Sequence, residues 1–229
     1  MDASRDRRED LHRAAQPAWE RARRAIEHGD ADAAVAALDE AVQRTASLQR
    51  YSINWITSLL TFIGEELGEP AVERALRQFG DTFLVPRRGP GWHDLPAEVR
   101  AREITRSMVA NGADVEIREE EDRIELAFRC GTGGRLIDEG AYEGEGAYLT
   151  LQERGPVTFD RDRLPVYCAH CSVNNEIQGI ESTGYPMTVE HPPKEPGQRC
   201  VHHLYREPGD IPPEIYARIG RPGPRPEEE

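Results

Sequence analysis

The sequence predicts an α+β fold, with N-terminal helices packed with a small antiparallel sheet. Three observations carry this. Apolar residues recur every three or four positions through the first half. From Ala113 the apolar period drops to two. The four cysteines of the chain then gather near the ends of short strands and one turn in the second half.

The helices come first. A stretch from about Arg5 to His28 is expected to break or kink at Pro17, whose ring removes a donor and blocks the preceding turn. It should stop at Gly29, with Asp30 capping the next helix. An alanine-rich helix then runs from about Ala31 into the forties. A third carries Ile53, Ile56, Leu59, Leu60, Ile63 and Leu67 on one face, the strongest core helix in the chain. Pro70 suits the first turn of a helix reaching about Phe83. A Pro/Gly-rich loop follows, and one more helix spans about Pro96 to Ala110.

The strands follow. Val115, Ile117, Ile124, Leu126 and Phe128 alternate with charged neighbours, which predicts a hairpin with one wet face. "CGTGGRL" reads as a tight turn, and the stretches around residues 144–159 as short strands or loop. A short helix is expected from Cys171 to about Ser182. "YPMTVEH" and "RCVHHLYR" read as a closing hairpin, and "IPPEIYARIG" as a terminal helix. One domain is expected over 1–220, with a helical part at 5–111 and a sheet and metal part at 113–206. A disordered tail is expected at 221–229. The loop from Pro86 to Pro96 is too short and proline-stiffened to separate two domains.

A net charge of −13 repels phosphate backbones, so no nucleic-acid partner is expected. Lys194 is the only lysine, as a GC-rich bacterial genome would produce. The charged opening "MDASRDRRED" has no apolar stretch of the kind a secretory leader needs. Ile53 to Gly64 is too short to span a bilayer, so no membrane association is expected. A cytoplasmic location follows as the default, where thiols stay reduced and clustered cysteines bind metals more readily than they pair.

Cys168 and Cys171 form a C-x-x-C, Cys130 ends one expected strand, and Cys200 opens another. A sheet with a neighbouring helix can bring them to one point, so Cys130, Cys168, Cys171 and Cys200 are the expected zinc ligands. Glu190 and His191 are the candidate substitutes. In an extended strand Cys200 and His202 share a face while His203 points away. His202 and His170 are therefore the candidate proton carriers. Arg129 and Arg135 flank the Cys130 loop and are candidates to hold a substrate carboxylate. The chain has no phosphate-binding loop, dinucleotide fingerprint, H-E-x-x-H or nucleophile elbow.

Residues 164–206 resemble the 4-vinyl reductase domain, which shares its fold with the TRAPP transport proteins. "YCAHCSVNNEIQGIES" matches the cysteine and helix of that pattern. "GYPMTVEHPPKEPGQRC" matches its acidic strand end, turn glycine and final cysteine, at Glu190, Gly197 and Cys200. The resemblance implies zinc held by Cys168 or Cys171, Glu190 and Cys200. The family's turn cysteine falls near Pro193, which cannot ligate, so Cys130, the second cysteine of the C-x-x-C or His191 would replace it. The layout is also similar to that of L-2-amino-thiazoline-4-carboxylic acid hydrolases.

These readings combine into a zinc enzyme of hydrolase or lyase type that acts on a small polar or anionic metabolite. Three protein ligands would leave a fourth place for water, whose pKa falls toward ~7. The alternative is a zinc-stabilised small-molecule sensor without catalysis. A TRAPP-like scaffold dimerising through its helices is a third reading, and a homodimer is the expected assembly.

Overall fold

The computed structural model describes residues 12–89, 91–221 and 223. The start of the first expected helix and most of the expected tail lie outside these residues. The chain divides into two compact units, Met1–Ser52 and Ile53–Glu229.

In the first unit, residues 12–14 are helical and the chain breaks at Pro17, as its sequence requires. Helix α1 (Ala18–Glu27) follows. Gly29 takes a φ of 74° and Asp30 caps the next helix, its Oδ1 accepting from the Ala33 N–H at 3.0 Å. Helix α2 (Ala31–Leu67) is one unbroken element rather than two. No glycine or proline lies between residues 31 and 63. The hydroxyls of Thr45 and Ser52 turn back to carbonyls four residues earlier, where they cap nothing. Among the described residues of this unit the buried side chains are Ala18, Ala22, Ala34 and Ala37, and Arg21 pairs with Glu40.

The second unit carries the sheet. Helix α3 (Glu69–Phe79) ends short of Phe83, because the chain widens into a π-helical segment at Gly80–Leu84 before helix α4 (Val85–Arg88). Gly80 lets Gln178 pack close at this point: a Cβ there would lie 1.8 Å from the Gln178 side-chain oxygen. Helix α5 (Ala97–Ala110) leads into strands β1 (Asp114–Glu119) and β2 (Arg123–Arg129). The expected turn after Cys130 is instead a short helix, α6 (Gly133–Asp138). Strands β3 (Thr150–Leu151) and β4 (Leu164–Pro165) form a separate two-residue ladder. A second π segment, Cys171–Ile177, runs into helix α7 (Gln178–Thr183). Strands β5 (Val189–His191) and β6 (Cys200–Tyr205) and helix α8 (Pro213–Arg218) complete the unit.

The two expected hairpins merge into one antiparallel sheet of order β1-β2-β6-β5. The α+β class is thus observed. β6 pairs with both neighbours, so Phe128 stands opposite Cys200, Leu126 opposite His202 and His202 opposite Glu190. One sheet face packs Ile124, Leu126 and Leu204 against Ala97, Ala101 and Ile104 of α5. The other turns Val189 and Tyr205 toward the larger core with Ile211, Ile215 and Tyr216. No helix of the described residues is long and apolar enough to cross a membrane.

Leu126 has no solvent exposure and sits in the middle of the sheet. Leu126→Ala should lower unfolding stability by about 2–5 kcal/mol in urea titrations of the full chain. A loss below about 1 kcal/mol would show that this face is loosely packed.

Candidate metal centre

The parity of β6 decides which side chains meet. Cys200 and His202 lie on the face toward α5, and His203 lies on the other, where its Nε2 meets Glu125 at 3.2 Å. His191 follows His203 to that face, with ring centroids 4.5 Å apart. Burial holds the pKa of His191 down at about 4. Glu190 stands across from His202 and shares its face.

Glu190 is buried, and its carboxylate is fully engaged. Thr188 Oγ1 and Asn175 Nδ2 donate to Oε1, the latter at 3.0 Å. His202 Nε2 donates to Oε2. Burial pushes the pKa of Glu190 up, but His202, Thr188 and Asn175 together outweigh burial and hold it below the ordinary carboxylate value. The backbone of Glu190 is held as well. Its N–H donates to Glu176 Oε1 at 2.6 Å, and its carbonyl accepts from Arg218 at 2.9 Å. Arg218 also contacts Glu176, so a buried guanidinium and carboxyl together grip the strand behind the site.

Cys171 opens the second π segment and closes the group. Its Sγ, a carboxylate oxygen of Glu190 and a ring nitrogen of His202 all lie within 4.8 Å of one another. Burial and then the Glu190 charge drive the Cys171 thiol well above its ordinary pKa. His202 stacks edge-on against Phe128 at 4.6 Å, and its Nδ1 is buried with no partner. The donor set therefore fits a divalent transition ion. A thiol, a carboxylate and an imidazole converge within 4.8 Å of one another in a largely buried place. Bonds of about 2.0–2.3 Å to one ion need only small side-chain shifts from this spacing.

The other three cysteines line the same cavity, which measures about 280 Å³. Cys130 and Cys200 face one another closely enough to set each other's protonation. The Cys200 thiol, Thr132 and the N–H groups of Gly134 and Thr132 hold Cys130 well below its ordinary pKa despite burial. Cys200 is raised in return, chiefly by its hydrogen bond to Cys130. Burial pushes Cys168 up to about 12. Gly133 lets this cluster form, since a Cβ there would lie 2.9 Å from the Tyr167 ring and 3.1 Å from Cys168 Sγ. Of the four expected thiol ligands, the structure groups Cys171 with Glu190 and His202, and sets Cys130 beside Cys200.

His170 also lines the cavity. Its Nδ1 donates to the Tyr167 carbonyl at 2.6 Å, so Nε2 turns its lone pair toward Cys171 Sγ, 3.5 Å away. The arginines expected to hold a substrate do not face the cavity: Arg129 is exposed at the end of β2, and Arg135 lies against Glu139 at 3.8 Å. Arg88 is the arginine in the cavity wall. It donates to the Asn174 carbonyl at 3.0 Å and to Asn175 Oδ1 at 3.1 Å. Asn174 in turn bonds the Leu76 carbonyl and Gln178, which ties the second π segment to α3 and to the start of α7. The "NN" between Val173 and Ile177, buried at Asn174 and half-buried at Asn175, was the sequence signal for this polar seam.

Glu176 has no solvent exposure, and burial lifts its pKa to about 8 against the pull of Arg218. A raised carboxyl takes up a proton on folding between its ordinary value near 4.5 and about 8. Its stabilising share is full at low pH and is lost as pH rises through that window. The stability of the metal-free wild type relative to Glu176→Gln should therefore fall from pH 5 to pH 8 in paired urea titrations. A constant difference would show that Glu176 is ionised throughout.

No protein-family model, no curated protein and no solved structure matches the chain.

Proposed function

We propose that residues 53–229 form a zinc-dependent enzyme of hydrolase or lyase type that acts on a small molecule in the 280 Å³ cavity. The observation that carries this is the convergence of Cys171, Glu190 and His202 on the wall of that cavity. Three protein donors of mixed type leave one position open toward a ligand, whereas structural zinc sites use four. The likeness of residues 164–206 to the 4-vinyl reductase domain, which implies Cys168 or Cys171, Glu190 and Cys200 as ligands, supports zinc at this place but sits with the sensor alternative.

Zinc bound here supplies a Lewis acid that polarises a carbonyl or imine and acidifies water. The chain's own groups do the remaining work. Glu190 is oriented through both its carboxylate and its backbone, so its oxygen cannot swing away. Phe128 fixes the plane of the His202 ring. His170, held in one tautomer by the Tyr167 carbonyl, turns Nε2 toward Cys171 Sγ at the cavity edge and is placed to take a proton there. Apolar walls exclude water and strengthen each of these contacts.

A specific observation supports the sensor alternative. Cys200 lies two residues before His202 on the same strand face and beside Cys130. If Cys200 joined the shell, four donors would close it and the metal would serve structure alone.

Metal analysis and cobalt substitution test the proposal. The purified chain should bind one equivalent of zinc. The cobalt form should show a thiolate charge-transfer band that Cys171→Ser abolishes and Cys200→Ser keeps. Cys171→Ser and His202→Gln should weaken zinc binding by about 100-fold or more while the chain stays folded by circular dichroism. Zinc affinity unchanged in Cys171→Ser, or unfolding of metal-free wild type, would contradict the enzyme reading.

A further inference from the structure

We infer that the cavity takes an apolar monocarboxylate, with its carboxylate on Arg88 and its reactive end toward Cys171, Glu190 and His202; this rests on the reading of that group as a metal centre.

Arg88 is the observation. It is partly buried in the cavity wall, and burial lowers its pKa to about 10, so it stays charged at neutral pH. Among the described residues no carboxylate forms an ion pair with it. Its protein partners are two neutral oxygens, the Asn174 carbonyl and Asn175 Oδ1. A guanidinium carries five donors in a planar fork, and these two contacts leave others unused. Glu190 acts on this half-buried cation only across the Asn175 amide and is itself engaged by His202 and Thr188, so an anionic ligand at the unused donors supplies the direct contact that Glu190 does not.

Asn175 sets where that anion lies. Its Oδ1 accepts from Arg88 at 3.1 Å, and its Nδ2 donates to Glu190 at 3.0 Å. One side-chain amide thus separates the anion site from the metal donors. A ligand anchored on Arg88 therefore needs only a short body to reach them.

The remaining walls define the body. Phe79, Leu84, Ile104, Met108, Phe128 and Met187 are apolar, which favours an aromatic or branched aliphatic group. A volume of about 280 Å³ is at the small end of ligand pockets. A phosphate would call for more donors than one arginine. The glycine-rich turn that could supply them is already committed, since the N–H groups of Thr132 and Gly134 point at Cys130. One fork beside an acidic centre suits a monoanion that is planar at its charged end.

Calorimetric titration of the full chain, with and without zinc, tests this using phenylacetate, 4-methylpentanoate and their neutral amides. At least one carboxylate should bind about tenfold or more tightly than its amide, the discrimination expected from hydrogen bonds to a charged group. Arg88→Met should lose that preference and Arg88→Lys should keep part of it. Equal binding of acid and amide, no binding of either acid, or an undiminished preference in Arg88→Met would overturn the inference. The comparison within wild type decides the matter even if a variant fails to fold. Arg88-dependent preference in a chain that binds no zinc upholds the anion site and removes the metal reading. Zinc binding at Cys171 without any preference for the acid does the reverse.

Discussion

A carboxylate cut off from solvent must be compensated where it lies, and the buried Glu190 organises its surroundings for that reason. Three side chains from three places donate to its two oxygens: Asn175 from the π segment, Thr188 beside it, and His202 from the neighbouring strand. Glu176 and Arg218 hold its backbone from behind. The second π segment, the end of β5, the middle of β6 and α8 are therefore tied through one residue. Removing any of these donors leaves a buried charge short of a partner, which costs more than the lost bond alone.

The site also draws on the π segment Cys171–Ile177, where Cys171, Asn174 and Asn175, spaced i, i+3 and i+4, share the cavity side. Cys171 then reaches Glu190 and His202, Asn175 joins Glu190 to Arg88, and Asn174 ties the segment to Leu76 and Gln178. The other π segment, at Gly80–Leu84, answers it from across the seam and delivers α4 with Arg88.

Much of this could be read in the residues. The switch from a helical to an alternating period at Ala113 marks where the sheet begins, because burying one face of a strand demands period two. The same parity separates His202 from His203 and pairs it with the face of Cys200. Glu190 was visible through its strand register. The long-range choices were not. Arg88 sits in a proline-rich stretch that reads as loop, and its place depends on contacts 86 residues away. By sequence one helix ends in the forties and another begins before Ile53, yet nothing between them stops a helix. The glycines after Cys130 read as a turn, whereas they serve close packing against Tyr167 and Cys168.

The central claim is that Cys171, Glu190 and His202 share one metal ion, and the coordination shell itself tests this most directly. X-ray absorption at the zinc edge of the zinc-loaded full chain counts sulfur against nitrogen and oxygen neighbours. One sulfur at about 2.3 Å with nitrogen and oxygen ligands near 2.0–2.1 Å is the predicted shell. Three or four sulfurs would place the ion among Cys130, Cys168 and Cys200 instead and contradict the account.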